Sequence, residues 1–158
     1  MGDAMKVIFG MACDGRVYPD FPGEREAVLG DFVVGPLGLT EMLEIELGMT
    51  GPQASATVRV AAYVAKLKAA LIAKPAIFCS AAFTSDPWEV AGTLLEWRDG
   101  LVGAGWKAQT CGSGRIDDLV LVERQTPQLP SGSSDRLCAL IEALESQPTL
   151  RLEAVSLV

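Results

Sequence analysis

The amino-acid sequence predicts an α/β fold with a small, mostly parallel sheet flanked by helices. Two early apolar runs, Lys6 to Ala12 and Phe32 to Val34, are short and rich in β-branched residues, as buried strands are. Longer segments carry apolar residues three and four positions apart, which is typical of helices. Because strands and helices alternate, the sheet should be mostly parallel. Strands are expected near Lys6 to Gly10, Phe32 to Val34 and Leu150 to Leu157, and also at Ile77 to Cys79 unless that run only leads into a helix.

The length of 158 residues is that of one domain, and it is enough to bury a core. We expect a single α/β domain over residues 5–158. Met1 to Ala4 is expected to derive from the expression vector, with Met5 as the natural start. The strand-like pattern at the C-terminal end continues to Val158 without a polar tail. The chain is therefore expected to be a fragment of a longer protein.

The composition argues against several functions. Thirteen basic and twenty acidic residues give a net charge of −7, which predicts weak DNA contact or none, because such binding depends on phosphate neutralisation. The absence of histidine removes the commonest general base and His-ligated zinc. The four cysteines show no CxxC spacing, so we expect free thiols and no zinc site, although disulfides stay an alternative. No metal ligand set is predicted.

Nothing in the sequence predicts a membrane partner. The N-terminal residues lack the basic and apolar regions of a signal peptide. No apolar run approaches the roughly 18 residues of a membrane span. A cytoplasmic location is therefore expected.

A turn containing Gly35, Pro36 and Gly38 follows the second predicted strand, and a helix is expected from about Thr40 to Leu47. A phosphate-binding loop here would need a lysine for the phosphate charge and a hydroxyl for magnesium. The turn has no lysine, the first charged residue of the helix is acidic, and Thr40 is most simply the helix N-cap. The sequence predicts an ordinary strand-to-helix turn or a degenerate phosphate loop, with no cofactor in either case.

The second helix is expected from Ser55 or Ala56 to about Ala73. Its apolar stripe consists of Val60, Tyr63, Val64, Leu67 and Leu71. This segment also has a basic side, formed by Arg59, Lys66, Lys68 and Lys74. A solvated face is the expected role of these basic residues, and a weak surface for anions is the alternative.

The best-specified helix begins at Asp86, whose carboxylate can cap the first turn, with Pro87 at the first helical position. It is expected to end near Gly103 and Gly105. One apolar face consists of Val90, Leu94, Trp97 and Leu101, and is widened by Trp88, Ala91, Leu95 and Val102. A wetter face is expected at Glu96, Arg98 and Asp99. The sequence favours a core helix over a tryptophan-lined binding surface.

Two further helices are predicted before the last strand. The first covers about Arg115 to Arg124, and its Asp117 and Asp118 are adjacent, so they should not face each other as metal ligands. The second begins at Ser133 or Ser134 and ends before Pro148, with Leu137, Leu140, Ile141 and Leu144 as its apolar stripe. In the final strand Leu150, Leu152, Ala154 and Leu157 are expected to point inward.

Four stretches resemble, in their order, the N-terminal part of bacterial AddB-type proteins, which are PD-(D/E)XK nucleases related to UvrD/RecB-like helicases. They are Val33 to Met49, Arg59 to Ala70, Phe83 to Trp106 and Arg115 to Glu123. The most specific part is Asp86 to Trp106, where Asp-Pro-Trp, Trp-Arg-Asp and Gly-Trp occur in the family's order. The resemblance covers roughly Met5 to Val158.

The resemblance implies a helicase-like first domain in which Gly35 to Thr40 stands at an inactivated phosphate loop. The family's nuclease residues lie near the far end of a much longer chain, so no catalytic residue is assigned here. The resemblance therefore implies a non-catalytic scaffold or interaction surface of a DNA double-strand-break repair nuclease. Its partners would be the remainder of its own chain or a helicase subunit.

Two other hypotheses stay open. One is a self-contained interaction protein, a homo-oligomer that buries Trp88 or Trp106. The other is a small enzyme that uses only carboxylates, Asp14 with Asp20 or Glu24, because ligands bind at the carboxyl ends of strands in α/β folds. For Asp14 a simple turn role is the more ordinary interpretation.

Overall fold

The structure, a computed structural model, describes residues 5–14, 31–49, 51, 54–146 and 152–157. The chain forms two compact units, which are described separately below. One unit comprises Met1–Gly51 and Leu140–Val158, and the other comprises Pro52–Ala139. Whether residues 5–158 act as one domain stays a prediction.

The first unit contains a three-stranded parallel sheet formed by β1 (Met5–Phe9), β2 (Asp31–Val34) and β3 (Leu152–Leu157). The strand order is β2-β1-β3, so β1 lies in the middle and pairs with both neighbours. Val7, on this central strand, is only 1% exposed. The predicted α/β class with a small parallel sheet is therefore confirmed.

The edge strands leave large apolar side chains in solvent. Phe32 on β2 is 49% exposed, and Val155 and Leu157 on β3 are 54% and 79% exposed. The expected inward orientation of Leu157 is therefore wrong. Leu150 lies outside the described residues, and no side-chain position is described for Leu152 and Ala154.

The helix α1 (Pro36–Glu46) begins four residues earlier than predicted. Pro36 occupies the first turn, where its missing N–H costs nothing, and Gly35 rather than Thr40 is the N-cap. Thr40 lies inside the helix, and its hydroxyl donates a 2.8 Å hydrogen bond to the carbonyl of Pro36. Local sequence does not reveal this helix start, because two N–H groups of the first turn donate hydrogen bonds to Asp14, which is distant in the sequence.

The second unit is helical. It contains α2 (Ala56–Ala73), α3 (Ser80–Ser85), α4 (Pro87–Gly103), α5 (Gly114–Glu123) and the first part of α6 (Ser133–Ser146). Tyr63 and Leu67 of α2 are fully buried, and the rest of the predicted α2 stripe packs against the same core. Ala91, Leu94 and Leu95 supply the α4 side of that core.

The boundaries of α2 and α4 agree with the sequence. The hydroxyl of Ser55 accepts the N–H of Val58, and the carboxylate of Asp86 accepts the N–H groups of Trp88 and Glu89. Past the end of α4, Gly105 has a φ of +89°, and its N–H donates to the Val102 carbonyl. The predicted caps are confirmed, because such local hydrogen bonds depend on neighbouring residues alone.

The residues Ile77 to Cys79 do not form a strand. Ile77 and Cys79 are buried in the helical core, and the carbonyl of Cys79 accepts the N–H of Phe83 at the start of α3. The run is therefore an apolar lead-in, the second of the two interpretations, and it leads into a helix that the sequence did not predict.

The remaining two helices begin close to the positions predicted for them. In α6 only Leu140 of the expected stripe is buried, whereas Leu137 and Ile141 are each 46% exposed. All four cysteines are free thiols. Among the residues that the structure describes, no helix has the length and apolar character needed to cross a membrane.

Candidate functional site

The position predicted for a degenerate phosphate loop is the start of α1. There the carboxylate of Asp14 accepts the N–H of Leu37 at Oδ2, at 2.7 Å, and the N–H of Gly38 at Oδ1, at 2.8 Å. These are two of the free donors with which a helix start binds an anion. Asp14 thus caps α1 from 23 residues earlier in the chain.

The two glycines of the turn allow Asp14 to approach this closely. A Cβ atom added to Gly35 would lie only 2.5 Å from the backbone nitrogen of Asp14 and from its carboxyl carbon. A Cβ atom on Gly38 would lie 3.4 Å from the Asp14 Oδ1 atom. Glycine at position 35 is therefore a steric requirement of the Asp14 contact.

Each of the predicted loop residues thus has a structural role. Gly35 is the N-cap, Pro36 begins the helix, Gly38 donates its N–H to Asp14, and the Thr40 hydroxyl is bonded within the helix. Asp14 itself is solvent-exposed, with one hydrogen bond on each carboxylate oxygen. Asp20 and Glu24, its proposed partners in a carboxylate enzyme, lie outside the described residues.

The second unit contains a charged cluster that the sequence did not predict. Arg59 of α2 and Arg98 of α4 are each 9% exposed, although both were expected on solvated faces. The guanidinium of Arg59 binds both oxygens of Asp99, at 2.6 and 2.9 Å. Arg98 binds Asp99 at 3.0 Å and Asp135 at 2.6 Å.

Glu123 and Lys66 extend the cluster towards α5. Arg98 Nε lies 3.3 Å from the Glu123 carboxylate. Lys66, only 2% exposed, donates to the backbone carbonyls of Glu123 and Gln125, at 2.9 and 2.5 Å. An ammonium group at the end of a helix satisfies its free carbonyls, so Lys66 serves as a cap for α5 rather than as a solvated residue.

Mutual pairing controls the protonation of this cluster. Burial acts to raise the pKa of Asp99, but the hydrogen bonds from Arg59 and Arg98 outweigh it and hold that pKa below its ordinary value. The hydrogen bond to Asp99 is the main cause that raises the pKa of Arg59. Burial lowers the pKa of Lys66, which has carbonyl partners but no carboxylate in direct contact among the described residues. The lowered pKa of Asp99 and the raised pKa of Arg59 both favour the charged form, which suits residues with a structural role.

The neighbouring Asp117 and Asp118 have separate structural roles. The buried Asp118 pairs with Lys74 at 2.6 Å and accepts the N–H of Phe78 at 2.9 Å. Asp117 accepts the N–H of Cys111 at 3.0 Å. Within the described part of the chain, no group of three or more potential ligands is placed to hold a metal ion.

The tryptophans are only partly in the core. Trp106 packs against the core, and its indole N–H donates to the Gln109 carbonyl at 3.1 Å. Trp88 and Trp97 are each 50% exposed, at the two margins of the α4 apolar face, so the prediction that Trp97 is a core residue is wrong. Arg98 takes a place on the buried side of α4 because its charge is neutralised there.

Comparisons of the chain with protein-family models, with curated proteins and with solved structures found no match. The likeness to AddB-type proteins therefore stays a hypothesis based on the sequence motifs.

Proposed function

We propose that this chain is a non-catalytic scaffold or interaction domain whose phosphate-loop position is closed by its own carboxylate. The observation that carries the proposal is the pair of hydrogen bonds from Leu37 and Gly38 to Asp14. A nucleotide phosphate would have to displace this carboxylate and would meet a negative charge without a lysine in the turn to offset it. Both oxygens of Asp14 accept these hydrogen bonds, and this structural role weighs against the hypothesis of an enzyme that uses Asp14 as a catalytic carboxylate.

The biological setting of the proposal comes from the sequence resemblance. On this basis the chain is proposed to be a helicase-like N-terminal domain of an AddB-type DNA double-strand-break repair nuclease, in a cytoplasmic location. Asp86 to Trp106 is the stretch that supports this setting most specifically. The small parallel sheet and the strand-to-helix turn at Gly35 are compatible with a degenerate P-loop architecture. DNA contact by this chain is expected to be weak, given its net charge of −7.

The sheet supports a partner in the remainder of a longer chain. Parallel sheets are normally covered on both faces, yet Phe32, Val155 and Leu157 expose 49%, 54% and 79% of their surfaces. Packing of further chain, or of a helicase subunit, against these edge strands would bury this apolar surface.

The experiment that tests the proposal is a titration of the pure chain with Mg-ATP and with pyrophosphate, followed by calorimetry, together with an assay for phosphate release. We expect no saturable binding and no turnover. Asp14→Ala, which frees two N–H groups and removes a negative charge, is the companion variant. If Asp14→Ala binds pyrophosphate weakly and the unaltered chain does not, the Asp14 carboxylate is what prevents phosphate binding at the start of α1. Saturable Mg-ATP binding or hydrolysis by the unaltered chain would overturn the proposal.

A further inference from the structure

A cavity of about 460 Å³ lies in the second unit. Its walls come from three segments: Phe78 in the stretch before α3, Trp97 with Gly100 and Leu101 on α4, and the first turns of α5. The volume falls in the range of small-molecule pockets, about 300 to 1,000 Å³.

The lining of this cavity is mainly apolar. Leu119, 2% exposed, contributes from the core, and Leu101 and Ile116 are partly buried beside it. Phe78 and Trp97 are 38% and 50% exposed. Two aromatic rings beside an aliphatic wall form a surface that gains free energy when an apolar group displaces water from it.

Two polar residues, Ser113 and Arg115, belong to the same lining. Arg115 is exposed and has no carboxylate partner among the described residues, in contrast to Arg59 and Arg98. The hydroxyl of Ser113 is not used to cap α5. A guanidinium without a carboxylate partner among the described residues, and a hydroxyl of the same lining, are groups that bind the oxygens of a carboxylate.

We propose that this cavity binds a small apolar monocarboxylate, with its alkyl or aromatic part against Trp97 and Phe78 and its carboxylate at Arg115. The charge of Arg115 selects an acid over a neutral molecule of the same shape, because no carboxylate among the described residues neutralises it. This site is independent of the scaffold role, which depends on the start of α1.

Gly100 makes the site testable without loss of the fold. A Cβ atom at Gly100 meets no atom within 4 Å, so a leucine side chain fits there and occupies space in the cavity. Glycine is also a poor residue for a helix interior, so Gly100→Leu should not destabilise α4. Gly92→Leu is the matched control, because Gly92 lies in the same helix with equally open space but does not line the cavity.

The probes are octanoate and 1-octanol, which share an alkyl chain and differ in charge. Titrated into the full chain and followed by tryptophan fluorescence, octanoate is expected to bind saturably, with a dissociation constant of about 1 mM or tighter. The alcohol is expected to bind about tenfold more weakly, because it lacks the charge-assisted hydrogen bonds to Arg115.

The variants separate the two parts of the site. Gly100→Leu should abolish saturable binding, Gly92→Leu should leave it unchanged, and Arg115→Gln should weaken octanoate about tenfold without affecting 1-octanol. The proposal is overturned if octanoate fails to saturate, or if Gly100→Leu binds as the parent does. Equal affinity for the acid and the alcohol would also overturn it, since the cavity would then suit a neutral apolar group, such as a side chain of a partner protein.

Discussion

At the scale of single residues, the burial of charged side chains in this chain depends on their partners. Arg98 is 9% exposed because the carboxylates of Asp99 and Asp135 neutralise it, whereas the apolar Trp97 beside it is half exposed. Tyr63 is the opposite case, a fully buried side chain whose hydroxyl has no hydrogen-bond partner among the residues that the structure describes. Burial and the negative charge of Glu123 raise the pKa of this hydroxyl well above its ordinary range, so it stays neutral.

Tyr63→Phe tests this unsatisfied hydroxyl. Removal of a buried polar group without a partner should leave the free energy of unfolding unchanged or raise it by about 1 kcal/mol. Tyr63→Ala, which leaves a cavity, should lower it by about 3 to 5 kcal/mol. Chemical denaturation monitored by circular dichroism measures both. A loss of more than about 1 kcal/mol in Tyr63→Phe would mean that a bound water satisfies the hydroxyl.

At the scale of elements, the charged cluster links helices that are distant in the sequence. Arg59 of α2 meets Asp99 of α4, 40 residues later, and Lys66 of α2 meets the end of α5, 57 residues later. Buried ion pairs are costly to break, because removal of one partner leaves an uncompensated charge. The cluster should therefore specify how these helices pack together, more than it increases the net stability.

Asp99→Asn tests the contribution of this cluster to the pH dependence of stability. Because the folded state lowers the pKa of Asp99, its stabilising effect is present above the unfolded pKa and is lost as the pH falls through the folded pKa. The parent should therefore lose stability as the pH falls below 3.8, the ordinary pKa of an aspartate, and Asp99→Asn should lose less over the same range. At pH 7 the variant should be about 3 kcal/mol less stable.

The matched control is Glu96→Gln on the same helix, since Glu96 is exposed and makes no ion pair among the described residues. Thermal unfolding measured across the pH range compares the three proteins. If Asp99→Asn loses stability as steeply as the parent when the pH falls, the pH dependence comes from other carboxylates.

At the scale of the whole molecule, exposed apolar surface bears on how the chain functions. In the second unit Trp88 is 50% exposed, and in the first unit the edge strands expose Phe32, Val155 and Leu157. The scaffold proposal expects this surface to be buried by the remainder of a longer chain. A homo-oligomer that buries Trp88 is the second candidate, and the exposure of that side chain is the observation that favours it.

Light scattering over a range of protein concentrations distinguishes the scaffold domain from the homo-oligomer. The scaffold proposal expects a monomer, or an association that weakens on dilution. A tight dimer at all concentrations would favour the interaction protein, and Trp88→Ser should dissociate it if Trp88 lies in the interface. Trp106 is not expected to lie in the dimer interface, because its indole already packs against the core and donates a hydrogen bond within the chain.

The sequence by itself determined a large part of the local structure, although not the start of α1 or the short helix α3. The caps at Ser55 and Asp86, the end of α4 and the apolar stripe of α2 depend on residues within a few positions of one another, so spacing alone reveals them. The α/β class follows from the same local patterns, summed along the chain.

The tertiary structure alone decided which polar residues are buried and which group occupies the predicted phosphate-loop position at the start of α1. Periodicity identifies a charged face, but it cannot show that a carboxylate 40 residues away neutralises Arg59. The absence of a lysine near Gly35 indicated a degenerate loop, yet only the fold brings Asp14 onto the N–H groups of α1. Both results depend on contacts between distant parts of the chain, whose geometry is set by packing of the whole unit rather than by local propensity.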